Sequence, residues 1–133
     1  MNSLVFISYF FACIASRNDT LVIDVTNVQV GKGSVFVSIF KNEETFFKKP
    51  FADRSVKADS SIERFSFELP DGEYAISIYQ DVNDNKKLDL GIFNIPKEPV
   101  GFGNNFRPKF SAPKYKDCAM IIDKSKEIQI EIR

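Results

Sequence analysis

The chain has 133 residues, 44% hydrophobic and 27% charged, which is enough apolar material for one domain with a sizeable core and argues against disorder. Lys plus Arg equal Asp plus Glu at 18 each, so no overall field favours nucleic acid or an anionic membrane. Fourteen Phe and four Tyr stand against no Trp and no His, which removes the commonest general base and metal ligand.

Residues 1–16, MNSLVFISYFFACIAS, carry no charged side chain, and the apolar run from Leu4 to Ala15 is too short to cross a bilayer. This is the pattern of a signal peptide, and the change to RNDT at Arg17 reads as a processing boundary. The expected organisation is therefore a leader over 1–16 and one exported domain over 17–133, with no transmembrane span; the competing reading of 1–16 is a buried first strand. FFAC is similar to a bacterial lipoprotein processing site, which makes Cys13 a candidate lipid anchor. The destination is then periplasmic, secreted or lipid-anchored at the envelope. Cys13 and Cys118 fall on opposite sides of the boundary, so no disulfide is expected, and Cys118 in CAMII reads as a small core residue.

From Leu21 onward the apolar period is two, the signature of strands. In LVIDVTNV the residues Leu21, Ile23 and Val25 share a face; in SVFVSIF, Val35, Val37 and Ile39 do. GKG at Gly31–Gly33 supplies a turn between them. A short strand is expected around Ser55–Ala58, and IERFSFEL places Phe65, Phe67 and Leu69 together, with Ile62 out of phase. LPDG at Leu69–Gly72 is a turn, since Pro70 presets its dihedral and Gly72 tolerates positive φ. EYAISIYQ then makes a strand expected to be central, and DCAMIID and EIQIEIR follow at the end. The sum is an all-β fold, a single antiparallel two-layer β-sandwich of about seven strands.

The stretch from Asp81 to Lys116 has no clear strand, and so long a gap in a compact domain needs an internal fastener. Ile92, Phe93, Ile95, Val100, Phe102, Phe106 and Phe110 are each able to plug into the body as anchors, so the stretch reads as one long ordered loop. Within it, DVNDNKKLD sets oxygen side chains at Asp81, Asn83, Asn85 and Asp89, which are positions 1, 3, 5 and 9 of an EF-hand-like loop; the Lys87 carbonyl stands at position 7. Such spacing turns alternate oxygens inward onto a hard cation. Position 6 is Lys86 where Gly eases the sharp turn, and position 12 is Ile92 where a bidentate Glu would close the shell, so a calcium site here is expected to be weak, on the order of 0.1 to 1 mM. The other reading is an Asx-rich turn, in which Asp81, Asn83 and Asn85 bond to nearby backbone amides without metal.

The run YAISIYQDVNDNKKLDLGIFNIPKEPVGFGNN, with PDGEY before it and FSAPKYKDCAM after it, resembles the secreted bacterial family known as domain of unknown function 2141. The likeness extends from the LVIDVTNV strand to the terminal IQIEI, and its most specific part is IPKEPVGFGNN at Ile95–Asn105. The resemblance implies a small exported β-sandwich and no established enzyme activity. Asp84 and Lys86 stand where the family pattern commonly has Gly.

Two further constellations complete the reading. GFGNNFRPKF offers a binding surface, with Phe102 as an apolar anchor and Asn104, Asn105 and Arg107 as hydrogen-bonding groups; the alternative is that its aromatics fold the loop onto the body. A glycosidase-like pair is available from Asp81, Asp89 and Glu98, of which Asp89 and Glu98 define a rival reading as a hydrolase. Against it, the acids of the motif read as loop ligands or caps, and Glu98 in PKEP as a solvated or salt-bridged side chain. The expectation is a non-enzymatic domain with a structural or binding role at the cell envelope, its partner an unknown protein or glycan.

Overall fold

The computed structural model describes residues 17–133; the expected leader and Cys13 lie outside the described residues. The period-two runs become strands: β1 (Asn18–Thr26), β2 (Ser34–Phe40), β3 (Ala52–Lys57), β4 (Glu63–Pro70) and β5 (Gly72–Asp81). After the long loop come β6 (Val100–Phe102), one helical turn α1 (Tyr115–Cys118), β7 (Ala119–Ile122) and β8 (Lys126–Glu131). The all-β expectation stands, with eight strands in two sheets.

One sheet has the order β4-β1-β8 and the other β3-β2-β5-β6, with β7 also on β5. β5 is central as expected: it pairs with β2 through 75–81, with β6 through 77–79 and with β7 through 72–75. The antiparallel expectation fails at one pair, because β8 runs parallel to β1, with Ile23 opposite Ile128. The last two runs do not form a hairpin either, since β7 and β8 belong to different sheets. That crossing lets β8 cover the edge of β1 that β4 leaves open.

Alternation decides what is inside. Leu21, Ile23 and Val25 of β1, Val35, Val37 and Ile39 of β2, Phe65, Phe67 and Leu69 of β4, and Tyr74, Ile76 and Ile78 of β5 are buried in one cluster drawn from both sheets, together with Ile122, Ile130 and Ile132. Ile62, out of phase in the sequence, precedes β4 and is exposed. Burying a side chain of this size contributes about 1.5–3 kcal/mol, so the cluster dominates the stability. A second cluster lies at one end, where Phe40, Phe46, Ala75, Phe102, Tyr115 and Cys118 meet. The Tyr115 hydroxyl donates to the carbonyls of Lys41 and Glu73 at 3.1 and 3.2 Å, and burial pushes its pKa up to about 12. On the outer face, Arg64 grips Asp24 with two hydrogen bonds of 2.8 and 3.1 Å and reaches Glu127 at 2.6 Å, tying β4, β1 and β8 side to side.

Among the described residues no helix is long and apolar enough to cross a membrane.

Candidate functional site

The loop begins as β5 ends. Gln80 and Asp81 are both fully buried, and each serves the backbone of a neighbouring turn. Gln80 Nε2 donates to the carbonyls of Gln29 and Lys32, and its Oε1 accepts the Gln29 N–H at 2.9 Å. Gly33, at φ +62, lies so close to the Asp81 carbonyl that a Cβ would collide with it. The start of the loop is therefore fixed by contact with the turn before β2.

The Asp81 carboxylate accepts the N–H of Asn85 at 3.3 Å and of Lys86 at 2.7 Å, folding the next five residues back over it. That path requires left-handed backbone at Asp84 (φ 54) and Lys86 (φ 62). These are the two positions where the family resemblance implies Gly, and Lys86 is position 6, the sharp turn of a calcium loop. Asn83 and Asn85 then aim their side chains at Asp89: Asn83 Nδ2 reaches Asp89 Oδ2 at 2.6 Å, and Asn85 Nδ2 reaches both carboxylate oxygens at 2.7 and 3.0 Å. Their own oxygens accept the N–H groups of Asn85 and Lys87 at 3.3 and 3.2 Å. The hydrogen bonds from Asn85, then those from Asn83, hold the Asp89 carboxyl below its ordinary range, with Lys87 and Lys97 adding attraction.

Glu98 closes the loop. Expected as a solvated or salt-bridged side chain, it is only 8% exposed, and its two oxygens accept the N–H groups of Val82 and Asp89, each at 3.1 Å. It is thus the internal fastener that so long a loop requires, flanked by Pro96 and Pro99, which stiffen the segment that delivers it. The prolines were the available sequence signal. Beyond Glu98, Pro99 accepts the Gln80 N–H at 3.0 Å, and Val100 exchanges two backbone hydrogen bonds with Arg133 at 2.9 and 3.0 Å.

The expected binding surface is put to internal use. Phe102 is buried in the second cluster rather than displayed. Asn104 donates to the carbonyl of Ala119 at 2.9 Å; Asn105 donates to Gln129 and accepts the N–H of Glu131, both at 3.0 Å; Arg107 donates to the carbonyl of Glu131 at 2.7 Å. Asn105 and Arg107 pair with the open edge of β8, where they line a shallow cleft of 380 Å³ with Thr26, Gln129, Glu131 and Arg133. Gly103 is needed because a Cβ there would collide with the Cys118 carbonyl.

The anchors divide. Phe102 is buried and Val100 and Phe106 are partly buried against the second cluster, but Ile92, Phe93, Ile95 and Phe110 are exposed, contrary to the expectation that each plugs into the body. No three His, Cys, Asp or Glu side chains among the described residues come together as a metal cluster, so any cation in the loop would rely on amide and carbonyl oxygens as well as carboxylates. Asp89 and Glu98 meet through a backbone N–H, and neither lines the 380 Å³ cleft or the neighbouring one of 320 Å³ bounded by Phe106–Ala112, Lys114 and Asp117.

With the geometry in hand, the comparison with known families is direct: the family model described as "Uncharacterized protein conserved in bacteria (DUF2141)" matches residues 23–130. The chain belongs to the DUF2141 family. The match runs from the middle of β1 through the DUF2141 loop to β8, so it takes in every residue of the 81–98 network. No curated protein and no solved structure matches the chain.

Proposed function

We propose that this DUF2141 chain is an exported, non-enzymatic β-sandwich domain with a structural or binding role at the cell envelope, and that its 81–89 loop binds calcium weakly. The observation that carries the reading is the use made of the loop's acids. Asp81 and Glu98 hold backbone N–H groups, and Asp89 gathers the side chains of Asn83 and Asn85. A pair of catalytic carboxyls must face a substrate across a cleft, whereas both oxygens of Glu98 are taken up by backbone N–H groups and neither Asp89 nor Glu98 lines either of the two clefts. This favours the binding role over the rival hydrolase built on Asp89 and Glu98.

For calcium, the support is convergence. Asn83 and Asn85 already bring their side-chain amides within 2.6 to 3.0 Å of the Asp89 carboxylate. Turning either amide to present oxygen toward Asp89 gives up the backbone N–H that this oxygen now accepts, so a cation has to outweigh those bonds, in keeping with weak binding. Asp81, Asn83, Asn85, the Lys87 carbonyl and Asp89 would hold the ion, which would supply charge neutralisation and loop rigidity rather than chemistry.

Tyr79 provides the test. It stacks on Phe36 with ring centroids 5.0 Å apart, and it stands two residues before Asp81 in β5, so the two side chains leave the same face of the strand where the loop begins. Terbium, a luminescent substitute for calcium, should light up by transfer from Tyr79, be displaced by calcium, and stay dark in Tyr79→Phe and Asp81→Ala. Terbium emission unaffected by either substitution removes the calcium assignment. Fractionation of the native bacterium tests export, which fails if the chain is found in the cytoplasm.

A further inference from the structure

β1 begins with a carboxylate on its inward face. Asp19 continues the alternation of Leu21, Ile23 and Val25 and is only 4% exposed, at the mouth of the core between the two sheets. Its Oδ2 is buried and has no hydrogen-bond partner among the described residues. Buried carboxylate oxygens are ordinarily met by donors or by a cation, because leaving one bare costs desolvation without return. A second carboxylate meets this one. In the β1–β4 register Asp19 lies opposite Leu69, and Asp71, two residues further on, is the one residue between β4 and β5. Its carboxyl comes within hydrogen-bonding reach of Asp19. Gly72 pairs with Ile122, so continuing that register by one residue sets Asp123 across from Asp71.

We propose that Asp19 and Asp71 together hold a magnesium ion at this end of the sandwich. Arg17 reaches Asp19 Oδ1 only at 3.6 Å, with a side chain 76% exposed, and the Lys126 ammonium is turned to the Ile121 carbonyl at 3.0 Å. Lys124 makes no ion pair among the described residues. Charges at this end balance overall, three aspartates against Arg17, Lys124 and Lys126, so it is the direct contact of two carboxylates, one of them buried, that calls for a cation. The ligand number selects the ion. Magnesium keeps several waters and binds through one or two carboxylates, whereas calcium takes about six to eight oxygens. No third acid among the described residues comes close enough to enlarge the set, and Asp71 is exposed, so waters can complete the shell from outside. Octahedral ligands at about 2.1 Å from the metal stand about 2.9 Å from one another, which is hydrogen-bonding distance, so the pair needs little movement to accept the ion. The site lies at the Gly72 end of β5 and the 81–89 loop leaves its Asp81 end, roughly 30 Å away along the strand.

The test uses the full chain carrying Asp81→Ala, with magnesium chloride alone as the probe, so its outcome does not depend on whether the loop takes calcium. The melting temperature should rise by roughly 5 °C at tenfold excess over the dissociation constant. That increment should disappear when Asp19→Asn or Asp71→Asn is added, whatever the starting melting temperature of each variant. In the parent chain manganese, a paramagnetic substitute for magnesium, should broaden the amide resonances of Asp19, Asp71 and Asp123, and excess magnesium should sharpen them again; this readout stands even where a variant does not fold. Two results overturn the proposal. One is a melting temperature that magnesium leaves unmoved well into the millimolar range, which would leave the pair bridged by a proton alone. The other is manganese broadening that spares the amides of Asp19 and Asp71.

Discussion

One oxygen of Glu98 accepts the backbone N–H of Asp89 at 3.1 Å, and the other accepts that of Val82 at the same distance, so a single buried carboxylate holds both ends of the 82–89 turn. Removing it leaves two N–H groups without an acceptor, at about 1–3 kcal/mol each where water cannot replace it. Glu98→Ala should therefore destabilise the domain by roughly 2–4 kcal/mol, with Glu98→Gln intermediate because it retains one acceptor. Urea denaturation gives the stability, and amide hydrogen exchange should rise at Val82 and Asp89 first. Unchanged exchange at both amides would show that Glu98 does not fasten the loop.

The acids respond to pH in opposite senses. Asp24, lowered chiefly by its hydrogen bond from Arg64, and Asp89, lowered by Asn85 and Asn83, contribute stability that is present above their ordinary value of 3.8 and lost as pH falls through the lowered folded value. Asp71 is raised by its hydrogen bond with Asp19, then by burial and by the Asp19 charge, so its contribution is complete below 3.8 and lost as pH rises through the folded value. Asp19 is buried, and its Oδ2 has no hydrogen-bond partner. Asp71→Asn should raise the melting temperature at neutral pH by relieving that repulsion, and the gain should vanish near pH 3. A gain that persists at pH 3 would assign the effect to something other than the carboxyl pair.

Cys118 is fully buried in the second cluster, and burial, then the Asp117 charge, pushes its thiol up to about 12. The thiolate is the nucleophile, so iodoacetamide at pH 8 should leave Cys118 unmodified in the folded protein and alkylate it in urea, as peptide mass mapping will read. Rapid alkylation without denaturant would contradict the packing of α1.

Gly33 is required twice, by its φ of +62 and by the Asp81 carbonyl beside it. Gly33→Ala should lower stability by roughly 1–3 kcal/mol in chemical denaturation, more than Gly31→Ala, whose Cβ would meet nothing within 4 Å.

Much of the fold was legible because alternation is a strong signal where one face is buried: Leu21, Ile23 and Val25, or Phe65, Phe67 and Leu69, leave little choice of face. β6 was not legible, since Val100–Phe102 is too short to show a period and is a strand only because β5 offers it an edge. The parallel pairing of β8 was hidden for a related reason: alternation fixes which side chains face inward, not which neighbour or direction the strand takes. At the loop, the spacing of Asp81, Asn83, Asn85 and Asp89 pointed to convergence; Asn83 and Asn85 do meet Asp89, whereas Asp81 turns to the backbone N–H groups of Asn85 and Lys86, as an Asx-rich turn would have it. The outward aim of Ile92, Phe93 and Ile95 was not visible, because an apolar residue in a loop reads as an anchor until the backbone shows where it points.

The measurement that bears most directly on the account is the melting temperature of the full chain with and without calcium, in parent and Asp81→Ala. At a hundredfold excess over the dissociation constant, linkage adds about 2.7 kcal/mol, which for a domain of this size is roughly 10 °C. The account predicts a rise of that order in the parent and none in Asp81→Ala. An unchanged melting temperature in the parent, with calcium well into the millimolar range, would mean that Asp81, Asn83, Asn85 and Glu98 hold the loop by hydrogen bonds alone and that the calcium assignment is wrong.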